Sequence, residues 1–433
     1  VLLDQLKTLL ETEPSQDSDI GDGYGSPVRA RAAAVFLHAG WRSCGTWVWE
    51  KLREQPNVRA FYEPLHEDLA RLDQPRIAHF RPDSWGSGHG ESAPYFREYG
   101  GLLAPRGRGV SLYQRRFAFD GYFLAPEQQD DALEAYLRQL LAHAHAEHRL
   151  PVLKFCRSLG RASWMMRRFP HAFHAVMLRD PATQWRSARR QMEQDGNRYF
   201  VLAPFLILAR NASHPLLEDA MRRLDVGAPS SLGDGFGLTV STTWRHVQRL
   251  DWTQRYRGFL AVWAATAVAA LSAGATVIDA DDVRDVPTHR RAIEAAFASA
   301  GADVDLSQAL PAEPIGIWAG TAAETRDAAA ASLAALDFVN AHRANLPQGQ
   351  VRALARKLRP NFTLQDGRAL PPLTRAALPA PAPVPRQPAW RQKADLAVHL
   401  VFERATYPLR RAHYYLWRWL GWHDGPGVRR QTK

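Results

Sequence analysis

Cysteine is almost missing from this chain: Cys44 and Cys156 are the only two in 433 residues. Two thiols make no disulfide framework for a fold of this size, so an apolar core must hold it, and a reducing, cytoplasmic setting is expected. Also absent is the Gly-x-x-x-x-Gly-Lys-Ser/Thr spacing of nucleoside-triphosphate-hydrolysing loops, which argues against ATP hydrolysis. There is no zinc-finger spacing, Arg-Gly tract or helix-turn-helix signature, and nucleic acid is therefore not an expected partner. The longest uncharged stretch, Phe259 to Ile278, matches a bilayer span in length but contains Gly274 and runs into Asp279. It reads as a buried helix followed by a core strand. Val1 to Leu10, with Asp4 and Lys7, has an amphipathic pattern and is unlike a signal peptide. The chain does not open on methionine, so its true N-terminus is left open and the sequons at Asn211 and Asn361 carry little weight. No internal repeat is evident.

What is present suits an enzyme with a large core. Hydrophobic residues make up 46% and charged residues 23% of the chain, enough for one large α/β core or two smaller ones. The net charge of +11 suits a nucleotide with several phosphates and an anionic acceptor, and equally a membrane surface or nucleic acid. Charge alone does not choose. Short apolar runs at Ala33–Leu37, Val58–Tyr62, Val152–Phe155, Phe173–Leu178 and Thr276–Ile278 read as strands. Helical patterns lie between or beside them at Thr46–Leu52, Glu127–His145, Ala203–Leu224 and Arg291–Ala298, an alternation that favours a parallel sheet. Pro82 to Tyr122, rich in Gly, Arg, Tyr and Phe, reads as an irregular binding loop, and Gly227 to Gly237 as a candidate lid.

Two segments carry the chemistry. Arg42-Ser43-Cys44-Gly45-Thr46-Trp47 joins the first apolar run to a helix. Unpaired N–H groups and the positive end of a helix dipole attract anions at such a turn, and Gly45 allows close approach while Arg42, Ser43 and Thr46 add charge and hydroxyls. Arg179-Asp180-Pro181 leaves the fourth strand at the end where open α/β sheets bind ligands, with Pro181 suited to the first turn of a helix. Arg179 and Ser187 can both face one anion. Between the two segments, Glu63-Pro64-Leu65-His66-Glu67 follows the second strand and places a carboxylate beside the cationic loop, where it can accept a hydroxyl proton. A helix-capping or Arg-paired carboxylate is the plainer alternative for Glu63. Lys154 and Arg157, leaving the third strand, could face a sulfate or acceptor, or simply form ordinary surface pairs.

Together these segments resemble the sulfotransferases that use 3′-phosphoadenosine 5′-phosphosulfate. Arg42, Ser43, Thr46 and Trp47 match the 5′-phosphosulfate loop of that family; Cys44 stands where the loop usually has Gly, and Gly45 where it has Ser or Thr. Arg179, Asp180, Pro181 and Ser187 match the 3′-phosphate site, with the Ser eight positions after the Arg. Glu63 lies in a Glu-Pro-Leu-His segment like that of carbohydrate sulfotransferases. It also stands at the distance from Arg42 at which protein-tyrosine sulfotransferases carry their catalytic glutamate. Asp279, Asp281, Asp282 and Val283 fit the acidic turn that closes many sulfotransferase cores, although a helix start favoured by the dipole explains these aspartates as well.

The resemblance runs from about Ala33 to Leu306. It implies an α/β fold of P-loop type, a three-layer sandwich around a central parallel sheet, and transfer of a sulfuryl group to the hydroxyl of a glycan or another small or polymeric alcohol. Arg42, the loop from Ser43 through Cys44, Gly45 and Thr46 to Trp47, Arg179 and Ser187 would bind the donor, Arg42 would stabilise the leaving phosphate, and Glu63 would be the base, with His66 and Glu67 in reserve. No metal is implied. The alternatives are a glycosyltransferase holding a divalent metal on Asp279 and Asp281, and a non-catalytic basic protein that docks on anionic lipid or nucleic acid.

The expected organisation is a helix and linker over 1–27, the sulfotransferase-like domain over 28–310, a helical C-terminal extension over 311–368, including an alanine-rich helix from Ala322 to Ala344, and a Pro-rich linker over 369–388. The segment 389–433 mixes Trp and Tyr with Arg and Lys. It suits either a helix packed on the core or an interfacial helix giving peripheral membrane contact.

Overall fold

The computed structural model describes residues 32–81, 93–105, 107–229, 236–308 and 321–359. These belong to the first of two compact units, Val1–Leu378, and the second, Pro379–Lys433, lies outside the described residues. The expected N-terminal helix and linker, the Pro-rich linker and the aromatic C-terminal segment are therefore all outside them, as are residues 82–92 of the expected binding loop and most of the expected lid.

Five strands form one parallel sheet: β1 Ala34–His38, β2 Val58–Tyr62, β3 Leu150–Phe155, β4 Ala172–Leu178 and β5 Thr276–Asp279, in the order β2-β3-β1-β4-β5. All five residues of β1 are buried, as a central strand covered on both faces requires, and this is why it reads as a continuous apolar run. The fold is thus α/β with an all-parallel sheet. Each strand foreseen from the sequence is present, with ends shifted by no more than two residues.

Two apolar cores flank the sheet. One takes Val48, Trp49 and Leu52 of α1 (Gly45–Arg53), Leu137 and Leu140 of α3 (Asp131–Ala146), and Phe297 of α11 (Pro287–Ser299). The other takes Ala182, Trp185 and Ala188 of α5 (Pro181–Asp195), the buried faces of α6 (Tyr199–Asn211) and α7 (Pro215–Leu224), and nearly all of α9 (Trp252–Leu271). The helices α12 (Ala322–Ala341) and α13 (Gln348–Leu358) pack into this second core, with Ala335, Phe338, Leu354 and Leu358 buried.

Helix α9 opens on a capping box in which Asp251 and Gln254 exchange side-chain and backbone bonds. Its Gly258 lets α6 approach: a Cβ there would stand 2.4 Å from the Phe205 ring. This confirms the buried helix and following strand read from Phe259 to Ile278, and no described helix is long and apolar enough to cross a membrane.

Two expectations need correction. The pattern over Ala203–Leu224 is two helices, because the chain turns after Asn211 and Pro215 starts α7; both present apolar faces to one core, which merges them in a periodicity reading. The stretch from Pro82 to Tyr122 has local structure in its described part, with 3-10 turns at Arg97–Leu102 and Arg115–Phe117. Among the described residues, helices not foreseen are α2 (Gln74–His79), α4 (Ala162–Arg168) and α8 (Phe236–Arg249), along with the single turn α10 (Asp282–Asp285).

Neighbouring strands β1 and β4 send their chains to opposite cores, β1 into α1 and β4 into α5. Such a divergence opens a crevice at the carboxyl ends of the strands, where ligands bind in sheets of this kind.

Candidate functional site

The loop after β1 is shaped by two left-handed residues, Arg42 at φ 62° and Cys44 at φ 68°. Side chains with a Cβ resist this conformation, but such turns direct successive backbone N–H groups into one concavity that suits an anion. The first intrahelical bond of α1 runs from the Val48 N–H to the Cys44 carbonyl. The N–H groups of Gly45, Thr46 and Trp47 therefore belong to the turn that a helix leaves without internal acceptors, and no side chain caps it. The displaced glycine has a steric cause. A Cβ at Gly45 would lie 2.7 Å from the Ala39 Cβ and 3.2 Å from Lys154 Cε, so the close approach falls one residue after the left-handed position, which Cys44 fills.

The Ser43 hydroxyl donates to the Gly40 carbonyl at 2.7 Å and is buried, which ties the loop back to its own start. Thr46 is buried, and Trp47 packs partly buried against the α1-side core.

The second segment meets the first. Asp180 caps α5 by accepting the Thr183 N–H at 2.6 Å, with Pro181 in the first turn. Burial pushes the Asp180 carboxyl up, against the pull of its bonds to Thr183. The Arg179 guanidinium donates to the Arg42 carbonyl at 2.7 Å, and Arg42 Nε donates to the Ser187 hydroxyl at 2.9 Å. Arg42, Arg179 and Ser187 thus converge over the crevice between β1 and β4. The Arg42 guanidinium also lies 5.1 Å from the centre of the Phe200 ring.

Glu63 sits where β2 ends, in a left-handed conformation (φ 46°), and its carboxylate is fully engaged. Oε1 accepts from Lys154 Nζ at 2.6 Å, while Oε2 accepts from Arg157 at 2.8 Å and from the Cys156 N–H at 3.0 Å. Burial by itself would raise the Glu63 pKa; Lys154, Arg157 and the Cys156 bond overcome it and hold the carboxyl at about 2. The Arg-paired alternative therefore describes this resting arrangement, and Lys154 and Arg157 face the glutamate.

The chain of charge continues outward. Arg157 donates to Glu67 at 2.7 Å and to the Tyr199 hydroxyl, and its guanidinium lies among the Trp41, Phe119 and Tyr199 rings, 5.4–5.7 Å from their centres. Glu67, the reserve base, is held low: burial raises it, but Arg157 and His66 outweigh that. His66 accepts the Asp68 N–H at 3.2 Å, and burial depresses its pKa. The Cys156 thiol is pushed up to about 12, first by burial and then by Glu63, so it stays protonated at neutral pH.

The acidic turn does more than start a helix. Asp279 Oδ1 accepts the N–H groups of Asp281 and Asp282 at 3.0 and 3.2 Å, as a helix start would. It also accepts from Lys357 Nζ of α13 at 2.6 Å, and the same ammonium bonds Asp281. A lysine thus fills the place between the two carboxylates where a glycosyltransferase would need its metal. Among the described residues no cluster of three or more His, Cys, Asp or Glu could hold a metal ion.

A cavity of about 410 Å³ opens beyond the ring cluster, lined by Arg115, Arg116, Phe119, Arg210, Phe236 and Thr239 among others. Phe119 is shared: it lines the cavity and contacts Arg157. Arg116 is paired with Asp130, and Arg210 with Asp120.

The site thus unites Arg42, Arg179 and Ser187, sets Gly45 and the α1 N-terminus beside Lys154, and places Glu63 within a buried ion network. Lys357, Tyr199 and Trp41 were not singled out from the sequence. Trp41 borders Arg42 and could have been noticed; nothing local marks Tyr199 or Lys357. No family model, curated protein or solved structure matches the chain.

Proposed function

We propose that the protein transfers a sulfuryl group from 3′-phosphoadenosine 5′-phosphosulfate to the hydroxyl of an acceptor. The observation that carries this reading is the meeting of Arg42 with Arg179 and Ser187 at the carboxyl ends of two adjacent strands. A donor with one phosphate at each end of its ribose needs two anion-binding elements held side by side, one at a helix N-terminus and one offering an Arg and a hydroxyl. The 5′-phosphosulfate would lie on the N–H groups opening α1, and the 3′-phosphate at Arg179 and Ser187.

The reaction follows from the charges around this loop. The acceptor oxygen bonds sulfur as the sulfur–oxygen bond to the 5′-phosphate breaks, and the charge growing on that phosphate is met by Arg42 and the loop N–H groups. The acceptor's proton goes to Glu63, leaving a sulfate ester and adenosine 3′,5′-bisphosphate. A carboxylate held at about 2 by two cations is a weak base, so its activation must accompany donor binding. Lys154 supplies the means. Its Cε lies against Gly45, so an anion at the start of α1 competes with Glu63 for the ammonium. As Lys154 turns toward that anion, Glu63 loses a cationic partner and its basicity rises. The cavity behind Phe119, within the size range of small-molecule sites of roughly 300–1,000 Å³, is the place for the body of the acceptor.

A thermal shift with adenosine 3′,5′-bisphosphate against adenosine 5′-monophosphate tests the two-phosphate site. Stabilisation by the bisphosphate well beyond that by the monophosphate is expected; equal or absent shifts would overturn the reading.

A further inference from the structure

Arg179 must be able to face a ligand phosphate while standing beside a carboxylate. Its Nε is 4.0 Å from Asp281 Oδ1, too far for a hydrogen bond but close enough that a small rotation would close the forked pair that Arg and carboxylates form readily. An Arg179 locked in that fork would offer less charge to any other anion.

Two contacts hold Asp281 back. Its Oδ2 accepts the Asp180 N–H at 2.9 Å, and it also takes a hydrogen bond from the Lys357 ammonium. Lys357 comes from α13, far along the chain, and its second bond, to Asp279 Oδ1 at 2.6 Å, fixes the ammonium between the two carboxylates. Burial would lower the Lys357 pKa, but Asp281 and Asp279 raise it further than burial lowers it, so the charge persists. The group is buried with its partners, where screening by salt is small. Asp281 thus has one buried cation hydrogen-bonded to it, Lys357, and a second, Arg179, standing 4.0 Å away. The backbone donors of Asp281 and Asp282 help to absorb the charge of Asp279; Lys357 is the cation that engages Asp281 most directly.

We propose that Lys357 is a positioning residue for Arg179. By keeping Asp281 occupied, it leaves the guanidinium available to a terminal phosphate, and through it the packing of α13 sets the strength of the anion site at the carboxyl end of β4. The identity of the ligand rests on the nucleotide reading above; the arrangement of Lys357, Asp281 and Arg179 does not.

The test uses full-length protein, with adenosine 3′,5′-bisphosphate and adenosine 5′-monophosphate as probes and titration calorimetry as readout. Lys357→Met should weaken the bisphosphate by about tenfold, within the usual range for coupled sites, while changing the monophosphate little. Lys357→Arg should restore most of the loss. Asp281→Asn removes the competing charge yet keeps an acceptor for the Asp180 N–H, and it should hold or strengthen bisphosphate affinity; in the double variant it should rescue Lys357→Met. Equal losses for both nucleotides, or no rescue by Asp281→Asn, would show Lys357 to be a structural tie only and overturn the proposal. Should Lys357→Met fail to fold, Asp281→Asn alone decides, since a weakened bisphosphate there has the wrong sign. If the wild-type protein binds neither nucleotide, the nucleotide reading fails by itself. The positioning proposal is then judged from crystal structures of the wild-type protein and the Lys357→Arg, Asp281→Asn and Lys357→Met variants: Arg179 should keep its bond to the Arg42 carbonyl in the first three, and in Lys357→Met it should close on Asp281. An Arg179 that stays in place in Lys357→Met would refute it.

Discussion

Arg42 Nε donates to the Ser187 hydroxyl at 2.9 Å across 145 residues of sequence. One bond thus ties the turn that opens α1 to the second turn of α5, and each half brings its own hydrogen-bond donors: the helix N-terminus on one side, Arg179 on the other. Loss of either half should therefore be separable by ligand.

Replacing Arg179 with alanine should weaken adenosine 3′,5′-bisphosphate strongly and spare adenosine 5′-monophosphate, because only the former carries the group assigned to that side chain. Calorimetric titration of both nucleotides checks this. Similar losses for both would place Arg179 in loop support instead, through its bond to the Arg42 carbonyl.

Glu63→Gln keeps two acceptor contacts at most and cannot take a proton. Turnover should drop on the order of a hundredfold, as for loss of a general base, with bisphosphate affinity retained. Measured by transfer of labelled sulfate, near-normal turnover would assign Glu63 to the ion network alone. The same substitution leaves Lys154 and Arg157 short of a charge partner, so a lower melting temperature is also expected.

Gly45→Ala tests the steric reason for the shifted glycine. The new methyl would meet the Ala39 Cβ at 2.7 Å, and the backbone has to move for it to fit. A loss of stability of about 1–3 kcal/mol, as for overpacking, should accompany weaker binding of both nucleotides, since the α1 N-terminus is the proposed seat of the shared 5′-phosphate. Unchanged binding of the monophosphate would move the 5′ site away from this turn.

A buried imidazole pair predicts a pH dependence. His174 Nε2 lies 3.2 Å from the Phe169 carbonyl, so it carries the proton; its Nδ1 then accepts from His38 Nε2 at 3.1 Å, and His38 Nδ1 accepts from the Ser158 hydroxyl at 2.7 Å. Both rings are neutral in this arrangement. Burial depresses His174 from its ordinary 6.5 to about 4 and takes His38 well below 6.5, with His174 adding to the latter. Between about 6.5 and 4 the unfolded chain binds more protons than the folded one, so stability is present above that window and falls as the pH drops through it. For His174 the loss is on the order of 3 kcal/mol. Urea unfolding at pH 7 and pH 5 should show it, and His174→Phe should flatten the slope. A variant as pH-sensitive as wild type would rule the pair out.

The strands, the α1 turn and the α5 start were readable from the sequence because their causes are local. A strand buried on both faces must be an apolar run, as Val35, Phe36 and Leu37 are. Pro181 cannot donate and so marks a helix start, and the spacing from Arg179 puts Ser187 on the helix that follows. The ion network was not readable in the same way. Glu63, Lys154 and Arg157 have the same side chains whether solvated or paired, and only the parallel register of β2 with β3, in which Tyr62 stands opposite Lys154, brings them within 3 Å. Lys357 lies on a helix whose pattern shows an apolar face but no partner, and its contact with Asp279 and Asp281 arises when α13 packs into the core. The chain's local chemistry determined which segments begin or end a helix and which arginines stand beside such a start. The tertiary structure decided which charges meet, because burial forces each charge to find a partner, and the partner is set by packing at long range.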